Sequence, residues 1–201
     1  YLRYLDSQNE GSSWQKDIAK NWMPVDMYIG GPEHACMHLI YARFVMMALN
    51  DFGFTSHGEP FQKLIHQGLV TKDGSKMSKS KGNVESPDEF VEKYGSDVFR
   101  MYLMFMGPFT DGGDWSDQGI TGIARFVDRF WSCVVDEREV KDEELMKKSL
   151  HKLIKKCTSD IEKFNFNTVI AAMMEFCNLV YKNGIDSESK KILVKLISPI
   201  A

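Results

Sequence analysis

The hydrophobic pattern of the chain changes near residue 120. After that position, apolar residues recur every three or four positions in successive stretches, which is the spacing of one face of an α-helix. Only short polar connections separate these stretches. Helices joined by short connections bury their apolar faces against neighbours in antiparallel order. The pattern therefore predicts a helical bundle from residue 120 onward.

Before residue 120, short apolar stretches alternate with helical ones. Residues 25–29 and 61–70 are apolar and suited to β-strands, and each leads through a glycine-containing turn into a helical pattern. Strand–turn–helix units form parallel sheets that place ligands at the strand ends. We therefore predict an α/β fold. Its sheet is the second half of a Rossmann-type nucleotide-binding parallel sheet, an antiparallel α-helical bundle follows, and helix dominates overall.

These patterns predict three parts of the 201-residue chain. We divide it into a half Rossmann-type catalytic domain (1–85), a connecting helical segment (86–118) and a truncated helical bundle (119–201).

Composition and charge limit the possible partners and the cellular location. The net charge of −3 excludes a uniformly basic nucleic-acid surface, so contact with RNA would need segregated charge. The cysteines are widely spaced without a C-x-x-C pair, and no apolar run is long enough to span a bilayer. Both features favour reduced thiols and a cytoplasmic location.

Most candidate anion-binding side chains lie in one segment, residues 71–86, which we call the lysine loop. A mobile loop with ammonium groups and hydroxyls suits an anion whose charge grows during a reaction, and phosphate is the main candidate. A solvated surface turn has the same composition, so the flanking residues are needed to distinguish it from an anion-binding loop. Residues 86–89 spell an N-cap serine, a proline at N1 and a capping-box glutamate, so the loop joins a strand end to a helix start. The loop's lysines, serines and bracketing glycines are Lys72, Lys76, Lys79, Lys81, Ser78, Ser80, Gly74 and Gly82.

A second turn of this kind follows residues 25–29. Gly30 and Gly31 end the apolar stretch, and a helix predicted over residues 32–50 follows, so a ligand can approach the bare backbone and the free amides of the helix start. His34 and His38 lie one turn apart on that predicted helix. Zinc binding, packed histidines and substrate contact are all open for this pair, but no third metal ligand is evident nearby and we predict no metal site.

Several motifs resemble those of a known family. K-M-S-K-S at 76–80 is the second signature of class I aminoacyl-tRNA synthetases, and G-N-V at 82–84 and Y-G-S-D-V-F-R at 94–100 continue the likeness in order. Y-I-G-G-P-E-H-A at 28–35 resembles the leucine-specific enzymes in particular. The resemblance to leucyl-tRNA synthetases extends over nearly the whole chain.

The resemblance implies an activity and a set of site residues. It implies ATP-dependent activation of leucine to leucyl-adenylate, with Mg²⁺ accompanying ATP, and transfer of leucine to tRNA(Leu). It also implies that Lys76 and Lys79 stabilise the phosphate transition state. The residues that it places around ATP and the adenylate are Gly30, Gly31, Glu33, His34, His38, Val70, Met77, Ser78 and Ser80.

The second predicted helix of the bundle carries a basic run between residues 147 and 156. A solvated helix face is one interpretation. Contact with an RNA backbone is the other, because each neutralised phosphate releases counterions and strengthens binding. Since the corresponding bundle binds tRNA in the resembled family, Lys148, Lys152 and Lys155 are the candidate tRNA-binding residues.

One feature of the resembled family is missing. Its first signature, H-I-G-H, occurs nowhere in the chain. We therefore expect a piece of a larger enzyme that needs the N-terminal half of the same enzyme as a partner and makes no adenylate alone. Two alternatives stay open: a class I synthetase for isoleucine, valine, methionine or cysteine, and a noncatalytic tRNA-binding module or split subunit.

Overall fold

The computed structural model describes residues 1–201, which fold into a smaller unit, Tyr1–Gln67, and a larger unit, Gly68–Ala201. None of its helices combines the length and hydropathy needed to cross a membrane. The α-helices are α1 (Lys16–Trp22), α2 (His38–Asp51), α3 (Pro87–Tyr94), α4 (Ser96–Phe105), α5 (Asp117–Val135), α6 (Glu143–Glu162), α7 (Phe166–Asn183) and α8 (Ser187–Ile197). The strands are β1 (Tyr28–Gly30), β2 (Leu64–His66), β3 (Leu69–Lys72), β4 (Ser75–Lys76) and β5 (Gly112–Asp114), and 3₁₀ helices cover Leu2–Asp6, Pro32–Cys36 and Lys79–Lys81.

The prediction that helix dominates the fold is confirmed. The strands form one two-stranded sheet, β1-β2, and one three-stranded sheet in the order β4-β3-β5. Both sheets contain a parallel pair. Their assignment to half of a Rossmann-type sheet stays a prediction, as does the division into three domains.

The smaller unit is built on the parallel pair β1-β2, in which Tyr28 lies opposite Leu64 and Gly30 opposite His66. Helix α2 buries a single stripe, since Leu39, Ala42 and Met46 recur at helical spacing. The cluster of buried core residues in the unit is small and consists of Leu2, Met23 and Met46. Apolar side chains on the remaining surface of α2 stay exposed: Ile40, Tyr41, Phe44, Val45 and Met47.

The single helix predicted over residues 32–50 is wrong. Pro32–Cys36 is a 3₁₀ helix, in which the amide of His34 donates to the carbonyl of Gly31 at 3.1 Å. Met37 then leaves the helical region, with φ −121° and ψ −104°, so the hydrogen-bond ladder restarts at α2. His34 and His38 therefore do not lie one turn apart on a continuous α-helix.

The single strand predicted over residues 61–70 is also wrong, because β2 and β3 belong to different sheets. The chain passes from one sheet to the other at Gly68, whose amide donates to the carbonyl of Phe109 at 2.8 Å. A Cβ atom at Gly68 would overlap the backbone of Gly112, so only glycine permits this close approach. Strand β3 then runs parallel to β5 and antiparallel to β4.

The helices predicted after residue 120 are confirmed as α5 to α8. Asp142 caps α6, since its carboxylate accepts a hydrogen bond from the amide of Leu145 at 2.9 Å. One continuous core passes through α4 to α8 and includes fully buried residues from each: Met101, Ile120, Cys157, Met173 and Leu193.

The predicted start of α3 is confirmed, but its predicted capping box is wrong. Pro87 is the first helical residue and Ser86 is the extended N-cap, yet no side-chain capping hydrogen bond forms. The fixed φ of proline is therefore what prepares this helix start. Gly95 ends the helix with φ 85°, as its position in the sequence suggests.

Candidate functional site

The lysine loop begins as a β-hairpin. Strands β3 and β4 pair with Thr71 opposite Lys76 and Lys72 opposite Ser75. The two residues between them, Asp73 and Gly74, have φ of 52° and 69°. Positive φ at both central positions defines the tight turn that matches the twist of a hairpin, and Asp-Gly is a preferred pair for it.

Asp114 on β5 holds this turn from the side. Its carboxylate accepts hydrogen bonds from the hydroxyl of Thr71 at 2.6 Å and from the amide of Gly74 at 3.0 Å. The bond from Thr71 is the main reason why the pKa of Asp114 lies below its usual value, and the bond from Gly74 adds to it. The hairpin is therefore attached to the adjacent parallel strand.

Beyond the hairpin, the loop closes on itself. The side-chain oxygen of Asn83 accepts from the amide of Ser78 at 2.9 Å, and its nitrogen donates to the carbonyl of Lys76 at 3.3 Å. A 3₁₀ turn over Lys79–Lys81 ends at Gly82, which is left-handed with φ 65°. The K-M-S-K-S segment thus forms a turn with defined backbone contacts.

The charges of this loop are divided into paired and free groups. Lys72 forms an ion pair with Glu85 across the base of the loop, and this hydrogen bond raises the pKa of Lys72. Lys76, Lys79 and Lys81 are exposed and pair with no acidic side chain. Three ammonium groups at the tip are therefore free to meet an anion.

The other site residues predicted in this part of the chain fall into two groups. Val70 and Met77 are half-buried and pack against the core of the larger unit, where they anchor the loop. Ser78 and Ser80 lie at its surface side, with their hydroxyl oxygens 3.1 Å apart. The structure therefore brings the lysines and both serines together on one short turn.

In the smaller unit, Gly30 and Gly31 are buried at the end of β1. A Cβ atom on Gly30 would come within 2.8 Å of the Tyr28 ring, and one on Gly31 would overlap the carboxylate of Glu33. Glu33 itself is exposed, whereas the Nδ1 atom of His34 is buried without a hydrogen-bond partner. The turn therefore combines two glycines that leave no room for a Cβ atom with an unsatisfied imidazole nitrogen.

His38 belongs to an aromatic cluster in the same unit. Its Nδ1 atom lies 3.2 Å from the Tyr28 hydroxyl, and the two rings stack with centroids 5.6 Å apart. Tyr1 and Phe61 complete the cluster, and burial raises the pKa of Tyr1 to about 12. His38 is thus held by aromatic packing. No three or more His, Cys, Asp or Glu side chains come together in a geometry that could hold a metal ion.

The basic run lies on α6 in the larger unit. Lys156 forms an ion pair with Asp160 at 2.8 Å. The three candidate tRNA-binding residues, Lys148, Lys152 and Lys155, are exposed and pair with no acidic side chain. The helix therefore presents free ammonium groups to solvent.

Two residues that organise the lysine loop were missed at the level of the sequence. Asn83 follows Gly82 in the loop, and its role could have been suspected because asparagine side chains often bond to nearby backbone. Asp114 gives no local signal, since its partner Thr71 lies 43 positions away in sequence.

Comparisons with known proteins identify the family of the chain. The family model described as tRNA synthetases class I (I, L, M and V) matches residues 6–115, and that of the anticodon-binding domain of tRNA ligase matches residues 143–201. The chain is 46% identical to the leucine–tRNA ligase of Clostridium kluyveri over 100% of this chain and 27% of the relative. For the leucine–tRNA ligase of Clostridium perfringens, the identity is 48% over 94% of this chain and 25% of the relative.

A solved structure is similar across the same length. The crystal structure of the LeuRS-tRNA-LeuAMS ternary complex from Agrobacterium radiobacter superposes with a TM-score of 0.90 at 33% identity, over 100% of this chain and 29% of that chain. The chain spans about a quarter of the length of the curated relatives it matches. On these matches, the chain belongs to the class I tRNA synthetase family and, within it, to the leucyl-tRNA synthetases.

Proposed function

We propose that this chain supplies the phosphate-binding loop and the tRNA-binding bundle of a leucine–tRNA ligase. The whole enzyme activates leucine with ATP as leucyl-adenylate and transfers leucine to tRNA(Leu). The observation that carries the proposal is the turn with three unpaired ammonium groups, in a chain that a relative named leucine–tRNA ligase matches over its full length.

The proposed chemistry assigns a role to the free lysines. The leucine carboxylate attacks the α-phosphorus of ATP, the bond to the β-phosphate breaks, and pyrophosphate leaves. ATP enters as its Mg²⁺ complex, which is substrate here. Phosphoryl transfer depends chiefly on positioned positive charge, so Lys76 and Lys79 stabilise the negative charge that develops on the departing pyrophosphate. Met77, Ser78 and Ser80 line the same turn.

The turn after β1 is proposed to receive the adenylate. Gly30 and Gly31 border the adenosine, because a ligand can approach the backbone of glycine more closely than that of any other residue. Glu33 accepts hydrogen bonds from the ribose hydroxyls. His34 and His38 flank the adenylate, and the unsatisfied Nδ1 atom of His34 supports this role.

The remaining partners follow from charge and exposure. Lys148, Lys152 and Lys155 contact the phosphate backbone of tRNA(Leu), which their exposure on α6 supports. The N-terminal half of the same enzyme covers the apolar face of α2, where Tyr41 and Phe44 are 70% and 67% exposed. The complete enzyme acts in the cytoplasm, and the chain alone makes no adenylate because H-I-G-H is absent from it.

The experiment that tests the function is amino-acid-dependent exchange of pyrophosphate into ATP by the complete enzyme. We expect leucine to support exchange at least ~10-fold better than isoleucine, valine, methionine or cysteine, since even one misplaced methyl group is worth that much. A preference for another of these amino acids would replace leucine in the proposal. Exchange with none of them would leave a noncatalytic tRNA-binding module.

The same assay on the purified 201-residue chain serves as the second arm. We expect no exchange. Measurable exchange by this chain would contradict the need for the N-terminal half.

A further inference from the structure

The lysine loop contains one amide side chain to which the proposed chemistry gives no role. Asn83 is half-buried, and its single amide group bonds to two backbone groups on opposite sides of Met77. Its oxygen accepts from the amide of Ser78 at 2.9 Å, and its nitrogen donates to the carbonyl of Lys76 at 3.3 Å. Asparagine is suited to such a bridge because it carries a donor and an acceptor on one planar group.

The fold brings Asn83 to this position through a reversal of the chain. The amide of Lys81 donates to the carbonyl of Ser78 at 3.1 Å, and that of Gly82 donates to the carbonyl of Lys79 at 3.2 Å. Gly82 then takes the left-handed conformation, with open space where a Cβ would lie. This turn directs the next side chain back toward the K-M-S-K-S segment.

The two bonded groups are those that fix the directions of the catalytic lysines. One is the carbonyl of Lys76 itself, and the other is the amide of Ser78, the residue before Lys79. The lysine side chains have no partners of their own, so only the backbone can orient them. Met77 packs against the core at the centre of this segment, and Asn83 bonds to the backbone on either side of it.

We propose that Asn83 is a positioning residue that acts through Lys76 and Lys79, holding both ammonium groups where the pyrophosphate charge develops. The inference rests on the proposed function. Asn83 contacts no substrate, and its effect reaches the reaction only through the backbone of the two lysines. Charge stabilisation by preorganised groups is sensitive to displacements of about 1 Å, which can cost roughly 100-fold in rate.

The first test is Asn83→Ala in the complete enzyme, assayed by leucine-dependent ATP–pyrophosphate exchange. We expect kcat to fall roughly 10- to 100-fold, as for a misplaced catalytic group, while KM for leucine stays unchanged. Val84→Ala is the matched control, because Val84 is the exposed neighbour and makes no hydrogen bond through its side chain. Its exchange rate should stay within about twofold of the unmodified enzyme.

A double-mutant cycle with Lys79→Ala separates positioning from a general loss of structure. If Asn83 acts through the lysines, the two substitutions together slow the enzyme less than the product of their separate effects, because the part transmitted through Lys79 is already lost. Multiplying effects would overturn the proposal, as would an unchanged kcat for Asn83→Ala. A drop that coincides with a lower urea midpoint would assign Asn83 to folding and also overturn it. An unaffected Lys79→Ala enzyme would instead overturn the proposed function of the loop.

Discussion

The two units differ in how much of their apolar surface they bury by themselves. The larger unit has one core that extends from α4 to α8 and anchors the lysine loop through Val70 and Met77. The core cluster of the smaller unit contains only Leu2, Met23 and Met46, although α2 is apolar on several faces. Small cores supply little net stability after conformational entropy is subtracted.

This difference distinguishes the two candidate segments. The lysine loop takes its shape from contacts within the larger unit, namely Asp114, Asn83 and the ion pair of Lys72 with Glu85. The turn at Gly30 and Gly31 belongs to a unit in which apolar side chains of α2 are exposed to solvent. We therefore expect the larger unit to be stable in the isolated chain and the smaller unit to gain stability from the rest of the enzyme.

The largest expected effect comes from the core of the larger unit. Met173 is fully buried on α7, so Met173→Ala should lower the free energy of unfolding by about 2–5 kcal/mol through the cavity it leaves. Phe44→Ala in the smaller unit is the counterpart, and it should change that free energy by less than about 0.5 kcal/mol because Phe44 is exposed. Urea unfolding of the 201-residue chain, followed by circular dichroism, measures both.

Equal losses for these two variants would contradict the comparison. The surface of α2 that carries Phe44 would then be buried in the isolated chain. The rest of the enzyme would not be needed to cover that surface.

The next effect concerns tRNA and the exposed lysines of α6. The triple variant Lys148→Ala, Lys152→Ala, Lys155→Ala should bind tRNA more weakly, and its plot of log affinity against log salt should be shallower by about 2, since each phosphate contact contributes roughly 0.7–0.9. Filter binding of tRNA(Leu) to the 201-residue chain over a salt series provides the slope.

Lysines of the smaller unit provide the control for this prediction. Lys16→Ala with Lys20→Ala removes exposed charges from α1 and should leave the slope unchanged. If both variants lowered the slope alike, the contact would be nonspecific attraction rather than a site on α6.

The smallest effect is the pH dependence contributed by Asp114. Its folded pKa lies below the unfolded value of about 3.9, so its bonds stabilise the fold fully above that pH. This contribution is lost as the pH falls through the lowered folded pKa. Urea midpoints should therefore fall less steeply with acid for Asp114→Asn, whose amide keeps an acceptor oxygen but does not titrate.

Parallel acid titrations of the two proteins decide this prediction. Identical curves from neutral pH down to about pH 3, below the unfolded pKa, would show that Asp114 does not hold the hairpin turn.

The features that could be predicted from the sequence are those encoded by neighbouring residues. Helices α5 to α8 follow from apolar spacing, and Pro87 and Gly95 mark the ends of α3 because each has a restricted or special φ. The Asp73-Gly74 pair is also a local hairpin signal, although we predicted only a loop at this position. The motif at 76–80 indicates the family from five adjacent letters.

The features that could not be predicted depend on contacts between distant residues. The break at Gly68 arises from the backbones of Phe109 and Gly112, which the pattern of residues 61–70 does not contain. The helix is interrupted at Met37 because its backbone leaves the helical region, and no residue in the sequence there signals this change. The bond between Asp114 and Thr71 likewise forms only once β3 and β5 lie side by side.

The central claim is that a lysine on the 3₁₀ turn stabilises charge on the departing pyrophosphate. Its most direct test is leucine-dependent ATP–pyrophosphate exchange by the complete enzyme carrying Lys79→Ala, with the exposed Lys163→Ala as control. Loss of one preorganised donor predicts a fall in rate of ~10²–10³, or roughly 2.7–4 kcal/mol, for Lys79→Ala and no change for the control. Exchange at the unmodified rate in the Lys79→Ala enzyme would contradict the account.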